Sequence, residues 1–231
     1  MAAQGAICGF CPGMSPEARG LRPELLRSRM VRGLQGRGID EAVLAAMEKV
    51  PRHEFAASGW DLDQAYADTP LPIGYGQTIS QPYVVGRMTS LLLEGGPRRQ
   101  VLEVGTGCGY QTAVLAQVCE RVFTIERIAA LARSARARLQ AMGLMRVHDK
   151  HGDGFAGWPE QTPFDGILVA AASDAVPPAL IEQLKIGGRL VMPVGPPGRQ
   201  ELLTVDRTGA DTVRVGRFDA VTFVPLLPEL A

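Results

Sequence analysis

Cysteine is scarce. Four residues in 231 cannot build a disulfide scaffold, and such usage suits a reducing, cytoplasmic setting. No apolar run approaches the roughly 20 residues that a membrane helix needs, so a membrane role is not expected. The amino-terminal stretch has no basic segment leading into an apolar core, so no secretory leader is expected either. Neither sign of charge is in excess. The 24 basic residues balance 24 acidic ones, whereas a general polyanion binder needs a basic footprint, so nucleic acid is not an expected partner. Internal repeats and low-complexity tracts are also missing. What is present is an ordinary globular composition, 46% hydrophobic and 21% charged, punctuated by 27 glycines and 17 prolines. A chain of this length buries roughly 70% of its unfolded surface, enough to fold without metal or cross-links.

Residues 1–20 read as a loose tail of Gly, Pro, Ala and Ser. Cys8 and Cys11 form a lone CxxC there, without the second ligand pair that a zinc site requires. From Pro23, the apolar spacing of Leu25, Leu26, Met30, Val31 and Leu34 predicts a helix. The arginines between them (Arg22, Arg27, Arg29, Arg32 and Arg37) read as a solvated face. Asp40 is placed to cap a second helix carrying Val43, Leu44 and Met47, which ends before Pro51. Residues 54–82 look irregular, and helical pattern returns over Val84–Leu93. Beyond Gly95-Gly96-Pro97, apolar strands alternate with helices: strands at 100–104, 121–126, 146–151, 166–170 and 189–194, helices at 111–118, 129–142 and 178–184. Strands apolar on both faces and separated by helices imply a parallel sheet covered on both sides. Two further strand-like runs in 201–224 with no helix between them imply an antiparallel end. The expected fold is α/β: a doubly wound, Rossmann-like sheet, mostly parallel with an antiparallel C-terminal part. Residues 21–95 form a helical extension to the 98–231 core, within a single domain of 21–231.

The sharpest local signal is Val101-Leu102-Glu103-Val104-Gly105-Thr106-Gly107-Cys108-Gly109-Tyr110. A buried strand runs into three alternating glycines and then a helix, which lets the backbone turn tightly and a ligand approach the helix N-terminus. A dinucleotide fingerprint is GxGxxG; this loop is GxGxG. Glu126 ends the next strand, 21 residues after Gly105, where an acidic residue meets ribose hydroxyls. Gly152-Asp153-Gly154-Phe155 ends the third strand, and a carboxylate there could accept from an adenine amino group. A pocket lined by Glu103, Glu126 and Asp153 suits a sulfonium cation better than a pyrophosphate, which favours S-adenosylmethionine over NAD.

Further segments carry a specific pattern. They are Val50-Pro51-Arg52-His53-Glu54-Phe55; Pro70 through Gly76-Gln77-Thr78-Ile79-Ser80-Gln81-Pro82; the glycine loop through Tyr110-Gln111-Thr112-Ala113; and His151-Gly152-Asp153-Gly154. Pro163-Phe164-Asp165, Gln183 through Val191, and Phe223-Val224-Pro225-Leu226 add to it. In this order they resemble the protein-L-isoaspartate O-methyltransferases, from about Met30 to the C-terminus. General methyltransferases lack the Gly-Gln-Thr-Ile-Ser-Gln-Pro loop. The resemblance implies a class I methyltransferase domain that methylates the α-carboxylate of L-isoaspartyl, and also D-aspartyl, residues in damaged polypeptides, initiating repair through a succinimide. It implies Ser80 as the active-site hydroxyl, with Thr78, Ile79, Ser80 and Gln81 against the substrate and Val221 to Val224 along its backbone. S-adenosylmethionine would lie against Glu103, Gly105, Thr106, Gly107, Glu126, Arg127, Asp153 and Gly154. No metal is implied, and a monomer is expected. Cys108 departs from the small serine common at its position, and a redox role for it is not expected.

Simpler readings stand beside these. Ser80, ahead of Gln81-Pro82, also suits a helix N-cap. His148 and His151 lie three apart on a strand and so face opposite sides, which prevents a shared metal. Trp158 reads as packing for the adenine-side loop or the core. A nucleic-acid amino methyltransferase would carry an Asn/Asp-Pro-Pro-aromatic motif after the fourth strand. Val169-Ala170-Ala171-Ala172-Ser173 stands there instead. A dehydrogenase or an inactive peptide-binding module would keep the fold, but not the loop spacing or the acidic pocket.

Overall fold

A computed structural model describes residues 22–231. The tail and its Cys8–Cys11 pair lie outside the described residues. Helix α1 (Pro23–Leu34) begins with proline in its first turn, and α2 (Glu41–Lys49) is capped by Asp40, whose carboxylate accepts from the Ala42 N–H at 2.8 Å. Leu26, Met30, Val31 and Leu34 of α1 are buried, but Leu25 is 61% exposed, so it belongs to the outer face and not to the apolar stripe. Arg22, Arg29, Arg32 and Arg37 are solvated as expected; Arg27 is half-buried.

Residues 54–82 are more ordered than their composition suggests. Asp61 and Gln64 form a reciprocal capping box for a short helix, α3 (Leu62–Tyr66). Strands β1 (Leu71–Gly74) and β2 (Gln77–Ile79) then form a hairpin whose tip, Gly74-Tyr75-Gly76, has positive φ throughout. Helix α4 (Pro82–Leu93) follows at once.

The main sheet uses β3 (Gln100–Val104), β4 (Arg121–Glu126), β5 (Val147–His151), β6 (Phe164–Val169), β7 (Leu184–Val194), β8 (Gln200–Arg207) and β9 (Val213–Val221). Their order is β5-β4-β3-β6-β7-β8-β9, with β5 through β7 parallel and the last two strands antiparallel. Helices α5 (Tyr110–Val118), α6 (Ala129–Ala141) and α7 (Pro178–Glu182) provide the crossovers. Residues 184–188 run as the first part of β7 instead of continuing α7, because Leu184 pairs with Phe164 in the sheet.

The N-terminal helices share a core with the sheet's helical cover. Leu34, Val43, Met47 and Phe55 pack with Tyr110, Val114, Ala135 and Leu139. Each Leu, Val, Met or Phe among them contributes about 1.5–3 kcal/mol on burial. This seam sets the β1–β2 hairpin over the sheet's carboxyl edge, where Ile73 Cδ1 lies 3.4 Å from the Cβ position of Gly107.

Candidate active site

Strand order reverses between β3 and β6, and ligands of open α/β sheets bind beyond the carboxyl ends of the strands at such a point. Gly105 leaves β3 at φ +94° and Gly107 follows at φ +54°, conformations that L side chains rarely adopt. A Cβ on Gly105 would stand 3.5 Å from Ala170 Cβ, so the loop hugs the end of β6. Gly109, also left-handed, leads directly into α5.

A cleft of about 830 Å³, counting its open mouth, occupies this switch point. Thr78, Ile79 and Ser80 line it together with Gly105, Thr106, Gly107 and Glu126. Arg127 and Gly154 are also on the wall. A second depression of about 1580 Å³ opens beside it, sharing Thr78, Ser80 and Val224. Gln81 and Val221 line this second depression and not the first.

Ser80 does not cap α4. The cap position belongs to Gln81, without a side-chain cap bond, and the Ser80 hydroxyl has no hydrogen-bond partner among the described residues. That frees it for the cleft.

Glu126 organises the glycine loop. Its Oε2 accepts from the Gly107 N–H at 2.7 Å and its Oε1 from the Ile128 N–H at 2.9 Å. Each oxygen keeps acceptor capacity toward the cleft.

The other two carboxylates of the expected acidic pocket are placed differently. Glu103 is fully buried and does not line the cleft, because its face of β3 is covered by Thr112 of α5 and Thr124 of β4. Its Oε2 accepts from the Thr112 hydroxyl at 2.5 Å and the Thr124 hydroxyl at 2.7 Å, while Oε1 has no partner among the described residues. Thr124 also pairs with Thr106 at 2.6 Å, so Glu103 reaches the cleft through two hydroxyls. Burial lifts its pKa to about 8, with the Thr112 and Thr124 hydrogen bonds opposing the rise and nearby Glu126 adding to it. Asp153 also stands off the wall. Its Oδ1 accepts from the Phe155 N–H at 2.8 Å and its Oδ2 from the Glu229 N–H at 3.3 Å, in a local cap and a link to the C-terminal segment.

Ile125, Ile128 and Leu227 also line the walls without having been singled out in the sequence, and Tyr110, Gln111 and Leu226 do so from motif segments that gave them no site role. The apolar ones look like ordinary core residues, and only the fold turns them toward a cavity. Burial pushes the Cys108 thiol up, the opposite of activation. His148 stacks on Phe123 at 4.9 Å, whereas the His151 ring reaches the Arg127 carbonyl, so the two rings part company. Trp158 packs edge-on against Phe123 on the β4–β5 side, away from the cleft.

The cleft pairs apolar walls with one hydrogen-bonded carboxylate at a glycine-rich loop, the mix of surfaces that a small-molecule site uses. These residues fit a cationic, ribose-bearing cofactor. The sequence profile of the protein-L-isoaspartate(D-aspartate) O-methyltransferase family (PCMT) matches residues 26–230. The chain belongs to this family. It is similar to the protein-L-isoaspartate O-methyltransferase of Halorhodospira halophila, at 56% identity over 209 residues, covering 90% of this chain and 94% of the relative. The Alcanivorax borkumensis enzyme is 52% identical over 207 residues, covering 89% and 93% respectively. A solved protein-L-isoaspartate O-methyltransferase superposes with a TM-score of 0.80 at 26% identity, covering 88% of this chain and 67% of that one. The Plasmodium falciparum structure, solved with S-adenosyl-L-homocysteine, has a TM-score of 0.75 at 23% identity, covering 87% and 98%; it bears on the fold alone. The Thr78–Ser80 loop and the glycine loop line one and the same cleft.

Proposed function

We propose that this cleft divides the work of carboxyl methylation between its two loops. The enzyme transfers the methyl group of S-adenosylmethionine to the α-carboxylate of L-isoaspartyl residues in damaged polypeptides, and to D-aspartyl residues, opening their repair through a succinimide. The observation that carries this reading is the shared cleft: Ser80, with its unpartnered hydroxyl, lines the same cavity as Gly105, Gly107 and Glu126.

When bound, S-adenosylmethionine supplies a methyl group on a positively charged sulfur. Gly105, Thr106 and Gly107 admit its methionine end, Glu126 accepts from its ribose hydroxyls, and Arg127 and Gly154 flank it. Asp153 acts at the adenine end once its bond to the Glu229 N–H yields, and Glu103 supports the loop from beneath. On the other side, Ser80 donates to one oxygen of the substrate carboxylate and orients the other oxygen for attack. Thr78, Ile79 and Gln81 shape that side, and Val221 and Val224 border the substrate backbone. An aspartyl-type carboxylate has an ordinary pKa of about 4 and is ionised at pH 7, so no general base is required. Alignment is the enzyme's main contribution, worth up to about 7–11 kcal/mol in well-oriented reactions. Discrimination against normal aspartate is geometric, because only the isomer presents its α-carboxylate as a branch from a kinked backbone.

We place the enzyme in the cytoplasm as a monomeric domain spanning 21–231 that acts on polypeptide instead of nucleic acid or membrane. Balanced charge and low cysteine content support that placement, as does the scatter of exposed apolar side chains such as Met145 and Ile186 over separate elements. The deciding experiment is transfer from labelled S-adenosylmethionine to paired isoaspartyl and aspartyl peptides. Base-labile incorporation into the isoaspartyl peptide alone is expected; equal incorporation, or none, would overturn the assignment.

A further inference from the structure

Gln200 is the first residue of β8 and is 4% exposed, although its side chain has nothing to do with the β8 ladder. Its amide instead grips the backbone of Phe223. Gln200 Oε1 accepts from the Phe223 N–H at 2.6 Å, and Gln200 Nε2 donates to the Phe223 carbonyl at 3.2 Å. Regular pairing of β8 with β9 ends at Gln200 and Val221, so this side chain prolongs the ladder by two residues in place of a strand. Just beyond, the Ala172 N–H donates to the Val224 carbonyl at 2.8 Å and the Leu226 N–H to the Ala172 carbonyl at 2.6 Å. The segment 221–226 is therefore pinned on one side by Gln200 and on the other by Ala172, just past the end of β6.

Between these pins, the Thr222 N–H, the Thr222 carbonyl and the Val224 N–H have no partner among the described residues. In an extended chain, backbone groups of successive residues point to opposite sides. With Phe223 turned to Gln200, those of Thr222 and Val224 turn the other way. Both residues line the depression that shares Thr78 and Ser80 with the main cleft. A short strand edge with free donors and an acceptor is the element that an extended peptide adds to.

We infer that Gln200 is a positioning residue for the polypeptide substrate: by holding Phe223, it presents the Thr222 and Val224 backbone groups to the chain that carries the isoaspartyl carboxylate to Ser80. This inference rests on the functional reading above. Gln200 is not part of the cofactor cleft's lining but borders the adjoining depression beside Thr222 and Val224, so its effect belongs to peptide binding. Loss of the clamp should also free the Phe223 amide.

The test uses the full chain and an isoaspartyl hexapeptide. Gln200→Ala should raise the peptide KM about tenfold, with kcat and the Kd for S-adenosylhomocysteine within about twofold of wild type. Amide exchange at Phe223 should accelerate by a similar factor. Lengthening the peptide from three to six residues should lower KM for the wild type and much less for the variant. Gln200→Glu keeps an acceptor for the Phe223 N–H but loses the donor, and should fall between the two; it carries the test if the alanine variant does not fold. An unchanged peptide KM beside accelerated exchange at Phe223 would overturn the inference, as would loss of cofactor affinity in step with KM. Failure of the wild type to methylate either peptide would instead overturn the functional reading on which it rests.

Discussion

Replacing Glu103 by glutamine separates charge from shape at the carboxyl group sealed beneath the glycine loop. Burial lifts its pKa from 4.5 to about 8 in the folded chain, whereas in the unfolded chain it ionises near its ordinary value. The folded state therefore holds this proton more tightly. Its stabilising effect is complete below about pH 4.5, declines as pH rises, and is gone above about pH 8. Each pH unit inside that window removes about 1.4 kcal/mol, so the wild type loses about 4 kcal/mol from this group between pH 5 and pH 8. Glutamine stays neutral throughout. Its carbonyl can occupy the place of Oε2 and keep both threonine hydroxyls, but its NH₂ then fills the unpartnered Oε1 position at a cost of about 1–3 kcal/mol. Glu103→Gln should thus be the less stable protein at pH 5 and the more stable one at pH 8. Urea midpoints for both proteins at pH 5, 6, 7 and 8 measure the difference directly, and unrelated titrations cancel. Parallel stability curves across that window would refute the reasoning. The outcome also bears on the site, because a neutral Glu103 leaves Glu126 as the carboxylate whose charge meets the cleft.

Ser80→Ala removes one hydrogen bond to a charged group, worth about 1.5–3 kcal/mol, so kcat/KM for an isoaspartyl peptide should fall about 10- to 150-fold. The cofactor Kd by calorimetry should stay unchanged, and a parallel loss would place Ser80 on the wrong side of the cleft. Glu126→Ala strips the acceptor from the Gly107 and Ile128 N–H groups and should raise the cofactor Kd at least about tenfold, with peptide KM nearly constant. Gly154→Ala drives a Cβ into Val104 Cγ1 with Leu226 behind it, so it should cost about 1–3 kcal/mol of stability in urea unfolding and weaken cofactor binding as well.

The central strands β3, β4 and β6 were legible because they are buried on both faces and therefore read as apolar runs. The glycine loop was legible because backbone that must turn left-handed at 105, 107 and 109 leaves glycine as its record. The β1–β2 hairpin was hidden by its brevity. Three- and four-residue strands show no period, and Tyr75, at φ +54°, puts an aromatic where glycine would have signalled the turn. Leu184 read as the last residue of a helix and the strand as starting only at Arg189, because nothing local marks the intervening residues 185–188 as strand; the pairing of Leu184 with Phe164 brings the strand's start forward.

The acidic pocket shows how far spacing carries an argument about chemistry. Sequence places Glu103, Glu126 and Asp153 at or just past the ends of three strands, and the sheet does set those strands side by side. It does not say which way each side chain faces, and that direction is set by partners far along the chain. Glu103 turns to Thr112 and Thr124, Asp153 to its own loop and Glu229, and Glu126 to Gly107 across the cleft wall. The same holds for Gln200, whose partner stands 23 residues away and is invisible to any local pattern. A methyl transfer to a carboxylate that is already ionised depends chiefly on such placement. Alignment comes from backbone geometry held by buried amides and carboxylates, so mutating these holders should alter binding and orientation well before it alters the chemistry of the reacting groups.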